Sequence, residues 1–94
     1  MEIKDLKIGK LYIFNLPATG KWIAKYAGKN KSQVMHSNCY CFDHEDRYES
    51  DKSAMCILSD IGTITLPNKE EIEKFVELFP DCKFSEEPLQ FSPF

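Results

Sequence analysis

The chain has 94 residues, is 43% hydrophobic and 29% charged, and carries a net charge of −3. Those totals describe one ordinary folded domain and exclude a disordered or multidomain protein. The longest apolar runs are four or five residues, far short of the ~20 that span a bilayer, so no membrane partner is expected.

In chain order, Ile3, Leu6 and Ile8 are spaced as an apolar tether leading into a turn at Gly9-Lys10. The opening Met1-Glu-Ile-Lys-Asp-Leu-Lys7 has no apolar run of the secretory kind, which makes a cytoplasmic location the expectation. Leu11–Leu16 alternates as a strand, with Tyr12, Phe14 and Leu16 on one face and Leu11 and Ile13 on the other; both faces of such a strand can be covered. Pro17-Ala-Thr-Gly20 is a turn by its own chemistry, because proline presets φ and glycine accepts the reversed geometry. A second strand, Lys21–Ala27, and a polar turn over 28–32 follow.

The third strand is expected over 33–43. His44 to Lys52 is too charged to be buried and reads as an exposed loop or the distorted tip of a long hairpin. A fourth strand over Ser53–Leu58 and a short fifth over Gly62–Leu66, with Ile64 and Leu66 inward, complete the sheet. The helix has clear punctuation. Asn68 is an N-cap with Glu71 three residues on, Glu70, Glu71 and Glu73 suit the positive end of the dipole, and Pro80 stops it. Ile72, Phe75, Val76 and Phe79 form its apolar stripe.

The predicted fold is therefore α+β and mainly β: a small five-stranded antiparallel SH3-like barrel or bent sheet, one C-terminal helix over about 69–79, and an extended apolar tail. Residues 1–80 make the domain. Residues 81–94 make the tail, in which Phe84, Leu89, Phe91 and Phe94 are too apolar to be left in water and are expected to dock, on their own sheet or on a neighbouring subunit in a homo-oligomer.

Candidate chemistry concentrates in Gln33–Asp43. His36-x-x-Cys39-x-Cys41-x-x-His44 brings four zinc-competent side chains into nine residues, but the spacing argues against a site. Zinc cysteines come as Cys-x-x-Cys on a tight turn, whereas strand residues two apart have Cα atoms roughly 6.5–7 Å apart. Strict alternation also puts His36 on the opposite face from both cysteines. Cys39, Cys41, Cys56 and Cys82 read as reduced core residues. Asp43, Glu45, Asp46 and Glu49 do not match a calcium loop. There is no glycine-rich phosphate loop and no nucleophile motif, so neither an enzyme nor a cofactor is expected.

Binding is better represented. Trp22 and Tyr26 share a strand face flanked by Lys21 and Lys25, and alternation places His36, Asn38 and Tyr40 together on the next strand. Aromatic platforms with nearby lysines suit a base and its phosphates, and Asn and His can bond base edges. These seven residues form the candidate ligand site, each with barrel core as its alternative role.

Charge is unevenly spread along the chain. Residues 1–31 hold seven lysines and two acidic residues, while the remainder holds five basic and thirteen acidic residues. Such a split can build a basic face for an anionic ligand. A pI near 5.3 and a single arginine, Arg47, disfavour nucleic acid.

Leu6-Lys-Ile-Gly-Lys-Leu-Tyr12, an aromatic-rich middle, and Leu66-Pro-Asn-Lys-Glu-Glu-Ile72 resemble small uncharacterised accessory proteins of bacteriophages infecting gut Bacteroidales. Those proteins typically enter their helix through Ala-Thr-Pro-Glu-Glu, where this chain has Pro67-Asn-Lys-Glu-Glu71. The likeness spans most of residues 5–79 and omits the tail. It implies a phage accessory protein, one acting against host defence in the host cytoplasm. The resemblance and the apolar tail favour a homo-oligomeric binder that sequesters a small anionic, nucleotide-like signal. The alternatives are an adaptor that docks on another protein through its tail, and a single-stranded nucleic-acid binder.

Overall fold

The computed structural model describes residues 2–44, 48–49 and 54–84. The strands are β1 (Leu11–Leu16), β2 (Gly20–Asn30), β3 (Gln33–Cys41), β4 (Tyr48–Glu49), β5 (Ala54–Ile57) and β6 (Thr63–Thr65), followed by the helix α1 (Lys69–Leu78). Every strand pair is antiparallel. Four strands in the order β6-β1-β2-β3 make the continuous sheet, where five were expected. The short β4 and β5 share the outer edge of β3.

The expected barrel is not closed. Pairing runs along an open path from β4 to β6, and no described pair joins those two ends. The local cause lies just after β6: Pro67 has no N–H to extend the ladder, and Asn68 already starts the helix.

β1 supplies both sides of the core, as its alternation demands. Tyr12 and Phe14 pack with Ala24, Tyr26, Val34, Cys39 and Ile64 on one face, where Ile3, Leu6 and Trp22 lie against them. Leu11 and Ile13 join Ile23, Tyr40, Phe75 and Phe79 on the other face, under α1. The amino-terminal segment closes the first face: its 3-10 turn, Ile3–Asp5, is followed by Lys7, whose backbone N–H donates to the Tyr12 hydroxyl at 2.8 Å.

The capping box of α1 is present in both directions. The Glu71 N–H donates to Asn68 Oδ1 and the Asn68 N–H donates to Glu71 Oε1, each at 2.8 Å. Phe75 meets Phe79 at a tilt, 4.8 Å between ring centroids, and Phe84 edge-on at 5.7 Å. Phe84, the first aromatic residue of the expected tail, thus docks on its own domain. Leu89, Phe91 and Phe94 lie outside the described residues, as does most of the charged loop 44–52.

The β1–β2 turn fixes its glycine twice over. Gly20 has φ +110°, and a Cβ there would collide with the Asp43 carboxylate, which accepts the Lys21 N–H at 2.7 Å.

β2 runs three residues beyond the expected end at Ala27. Gly28, at φ +121°, absorbs an irregularity and lets pairing continue to a two-residue tip, Lys31-Ser32. Two register shifts lie in this pair. Between Ala24↔Cys39 and Tyr26↔His36, β3 carries one extra residue; between Tyr26↔His36 and Gly28↔Met35, β2 does.

A candidate interaction surface

The first register shift reorganises the expected ligand wall. Simple alternation groups His36 with Asn38 and Tyr40, but the extra residue in β3 breaks that parity. His36 stands opposite Tyr26, on the face covered by the amino-terminal segment. Asn38 accepts from the Cys82 thiol at 3.2 Å, and Cys82 and Tyr40 both belong to the helix side. His36 therefore shares a face with Cys39 and Cys41, contrary to the alternation argument. Cys39 and Cys41 are buried, the Cys41 thiol donating to the Thr19 carbonyl at 3.5 Å, while His44 is exposed. Among the described residues no group of three or more His, Cys, Asp or Glu side chains could hold a metal ion.

The sheet divides the remaining candidates too. Trp22 is half-buried on the amino-terminal side and donates its indole N–H to Thr19 Oγ1 at 3.0 Å. Tyr26 is 6% exposed and meets Tyr12 edge-on at 6.3 Å. Burial pushes its phenol above the ordinary tyrosine range, with Tyr12 beside it adding to the shift.

On the helix side, Tyr40 is 5% exposed and meets Phe42 edge-on, with the Lys74 ammonium 5.5 Å from its ring centroid. Lys21 is ion-paired with Glu71 and lies 5.4 Å from the Phe42 ring centroid. Lys25 stands in register with Leu11, half-buried. The structure thus brings Lys21, Asn38 and Tyr40 to one side and Trp22, Tyr26 and His36 to the other. Both tyrosines are core, and Lys21 is engaged within the chain.

What reaches the surface is a different set, and it includes three aliphatic residues that the periodic patterns point inward. Ile8 is 73% exposed, Leu66 51% and Val76 43%. Ile3 and Leu6 suffice for the tether. Leu66 falls one residue past the end of β6, and Val76 sits on the flank of the helical stripe.

Ile8 belongs to a basic end. Gly9 and Lys10 extend β1 along β2, with Gly9 N–H donating to the Tyr26 carbonyl at 2.8 Å and Tyr26 N–H to the Lys10 carbonyl at 3.0 Å. That brings Ile8 over Gly28, where a Cβ would lie 3.7 Å from Ile8 Cδ1 and 3.6 Å from Met35 Cε. Lys7 and Lys29 are the chain neighbours of those two positions, and Lys31 is at the hairpin tip; all three are exposed. Lys31 has φ +58°, the one non-glycine in the left-handed region among the described residues. The nearest sequence signal for this end is the lysine excess of residues 1–31; the register that gathers part of it beside Ile8 depends on the irregular β2–β3 pairing.

α1 carries both signs: Glu70, Glu73 and Glu77 recur at helical spacing on its exposed side with Lys69 and Lys74 among them, Asp81 follows in the turn after it, and Val76 lies next to Glu73 and Glu77. Glu77 shares a 3.5 Å ion pair with Lys74. Among the described residues no helix is long and apolar enough to cross a membrane. No protein-family model matches the chain, and neither does any curated protein or solved structure.

Proposed function

We propose that this protein is a non-catalytic interaction module that recognises an anionic partner with its lysine-bearing end. The observation that carries the reading is the distribution of side chains. The aromatics a stacked base would need at Tyr26 and Tyr40 are interior, while Lys7, Lys29 and Lys31 at the same end of the β2–β3 hairpin are exposed, as is Ile8. Placing a lysine at the left-handed tip position costs backbone energy that a glycine would avoid, and strain of that kind clusters at functional positions.

Such a surface suits an acidic, partly apolar protein segment better than a small nucleotide. The lysines supply charge in several directions, and Ile8 offers an aliphatic contact in place of a ring. The reading joins the anionic ligand and the adaptor role expected from the sequence. It moves the contact from the aromatic wall to the basic end.

The test is titration with poly-glutamate, followed by calorimetry at low and physiological salt. We expect binding that weakens with salt, since exposed charges are screened over about 8 Å at 0.15 M. Lys29→Glu with Lys31→Glu should weaken it at least tenfold. Binding unaffected by that reversal would remove the basis of the proposal. A thermal-shift series with mononucleotides and cyclic oligonucleotides serves as the counter-test: a large stabilisation abolished by Trp22→Ala would favour the aromatic wall instead.

A further inference from the structure

Two of the three exposed aliphatic residues border the open end of the sheet. β6 is the last strand of the path, and among the described residues nothing pairs with its outer edge. Its alternation buries Ile64 on the amino-terminal side and leaves Thr63 and Thr65 exposed on the helix side, with Thr65 in register with Ile13. Leu66, 51% exposed, follows at once.

The placement of α1 leaves that strip uncovered. One flank of the helix points to β3 and β2, where the Lys74 ammonium faces the Tyr40 ring and Glu71 holds Lys21. Phe75 is the buried centre, on Leu11, Ile13 and Ile23. At 3.6 residues per turn, Ile72 and Val76 fall on the other flank, and the strand order β3-β2-β1-β6 puts β6 on that side. Ile72 is half-buried there and Val76 exposed. The result is a shallow groove with threonines for a floor, an aliphatic wall on the helix and an open strand edge along its rim.

We infer that residues 85–94 of the same chain fill this groove. Leu89 and Phe91 rest on Ile72 and Val76, and residues 89–92 lie along the outer edge of β6. Phe84, the residue before this segment, is already on the helix side, its ring 5.7 Å from that of Phe75. The chain from Phe84 to Leu89 spans up to roughly 16 Å when extended, more than the ~10 Å diameter of a helix, so Leu89 reaches the far flank. Leu89 and Phe91 are two apart, so an extended segment turns both to one face. Pro88 and Pro93 bracket residues that keep their N–H groups, a stretch matched in length to β6. An open edge invites foreign strands, and a segment tethered this closely competes for it at an effective concentration on the order of millimolar. The contact uses none of the lysines of the anionic-partner reading and is independent of it.

NMR on the isotope-labelled full chain tests this. We expect NOEs from the Leu89 methyls and the Phe91 ring to the methyls of Ile72 and Val76, and slow exchange of the β6 amides that point away from β1. Phe91→Asp changes no described residue. It should remove those NOEs and speed exchange of those amides at least tenfold, while the resonances of β1 to β3 stay in place. Val76→Asp is the reciprocal change on the helix and should move the amide shifts of residues 89–94 to random-coil values. Should it unfold α1, Val76→Thr replaces it, with a smaller shift in the same direction.

Mixing ¹³C-labelled with unlabelled chains separates a molecule's own segment from a neighbour's. NOEs between chains would overturn the inference, because a second copy would then fill the groove. Random-coil shifts for residues 89–94 in the wild type, Phe91 NOEs to another surface, or β6 exchange unchanged by Phe91→Asp would each overturn it as well.

Discussion

Two residues show how local chemistry sets measurable behaviour. Tyr26 is buried beside Tyr12, which holds its phenol neutral beyond the ordinary value of 10.0. A group whose folded pKa is raised stabilises the fold fully below the unfolded value, and that contribution is lost as pH climbs from about 10 toward the folded value. Alkaline unfolding followed by near-UV dichroism should therefore be delayed in Tyr26→Phe, with little change at neutral pH. Lys31 makes the second case. Its left-handed backbone is strained for any residue with a Cβ, so Lys31→Gly should raise stability by about 0.5–1 kcal/mol in urea titrations. The same substitution removes a lysine from the proposed docking surface, so a more stable protein should bind poly-glutamate less well.

Among the elements, α1 was the most legible in the sequence. Its cap is written in two residues, Asn68 and Glu71, and its boundary at Leu78 falls within one residue of the expected end. Local hydrogen bonds and a 3.6-residue period need no knowledge of the rest of the chain. Its anchor is Phe75, fully buried between Phe79 and Phe84 and against β1 and β2. Phe75→Ala should cost roughly 3–5 kcal/mol, read as a fall in denaturation midpoint with an unchanged slope.

The β2–β3 pair was the least legible element. Its strands were placed correctly to within a few residues, but the side on which His36 falls depends on where one extra residue is accommodated. Alternation carries no mark for that. Gly28 was an available hint, since a glycine inside a strand pattern signals an irregularity. The polar run Lys29, Asn30, Lys31 and Ser32 that follows it masks that hint with the composition of a turn.

At the scale of the molecule, the mainly β composition, the antiparallel order and the capped helix were all readable from periodicity and turn residues. Closure was not. It depends on whether the sheet's two ends meet, and here β6 stops after three residues while the chain leaves through Pro67 for the helix. The candidate site suffered most for the same reason. Aromatic residues on a short strand look alike whether they line a pocket or fill a core, and only the coverage of both faces decides. α1 and Phe84 cover one side, and the segment from Ile3 to Leu6 covers the other. Charge was the more durable guide. The lysine excess in the first third of the chain includes the exposed lysines beside Ile8, and the acidic excess of the rest includes the flank of α1.

The central claim is that recognition belongs to the lysine-bearing end and not to the aromatic interior. Amide chemical shifts of the ¹⁵N-labelled protein, followed during titration with poly-glutamate at low salt, test it most directly. The account predicts perturbations centred on Lys7, Ile8, Lys29 and Lys31 that fade as salt is added. Perturbations centred on Trp22, Tyr26, Asn38 and Tyr40, or none at any concentration, would contradict it.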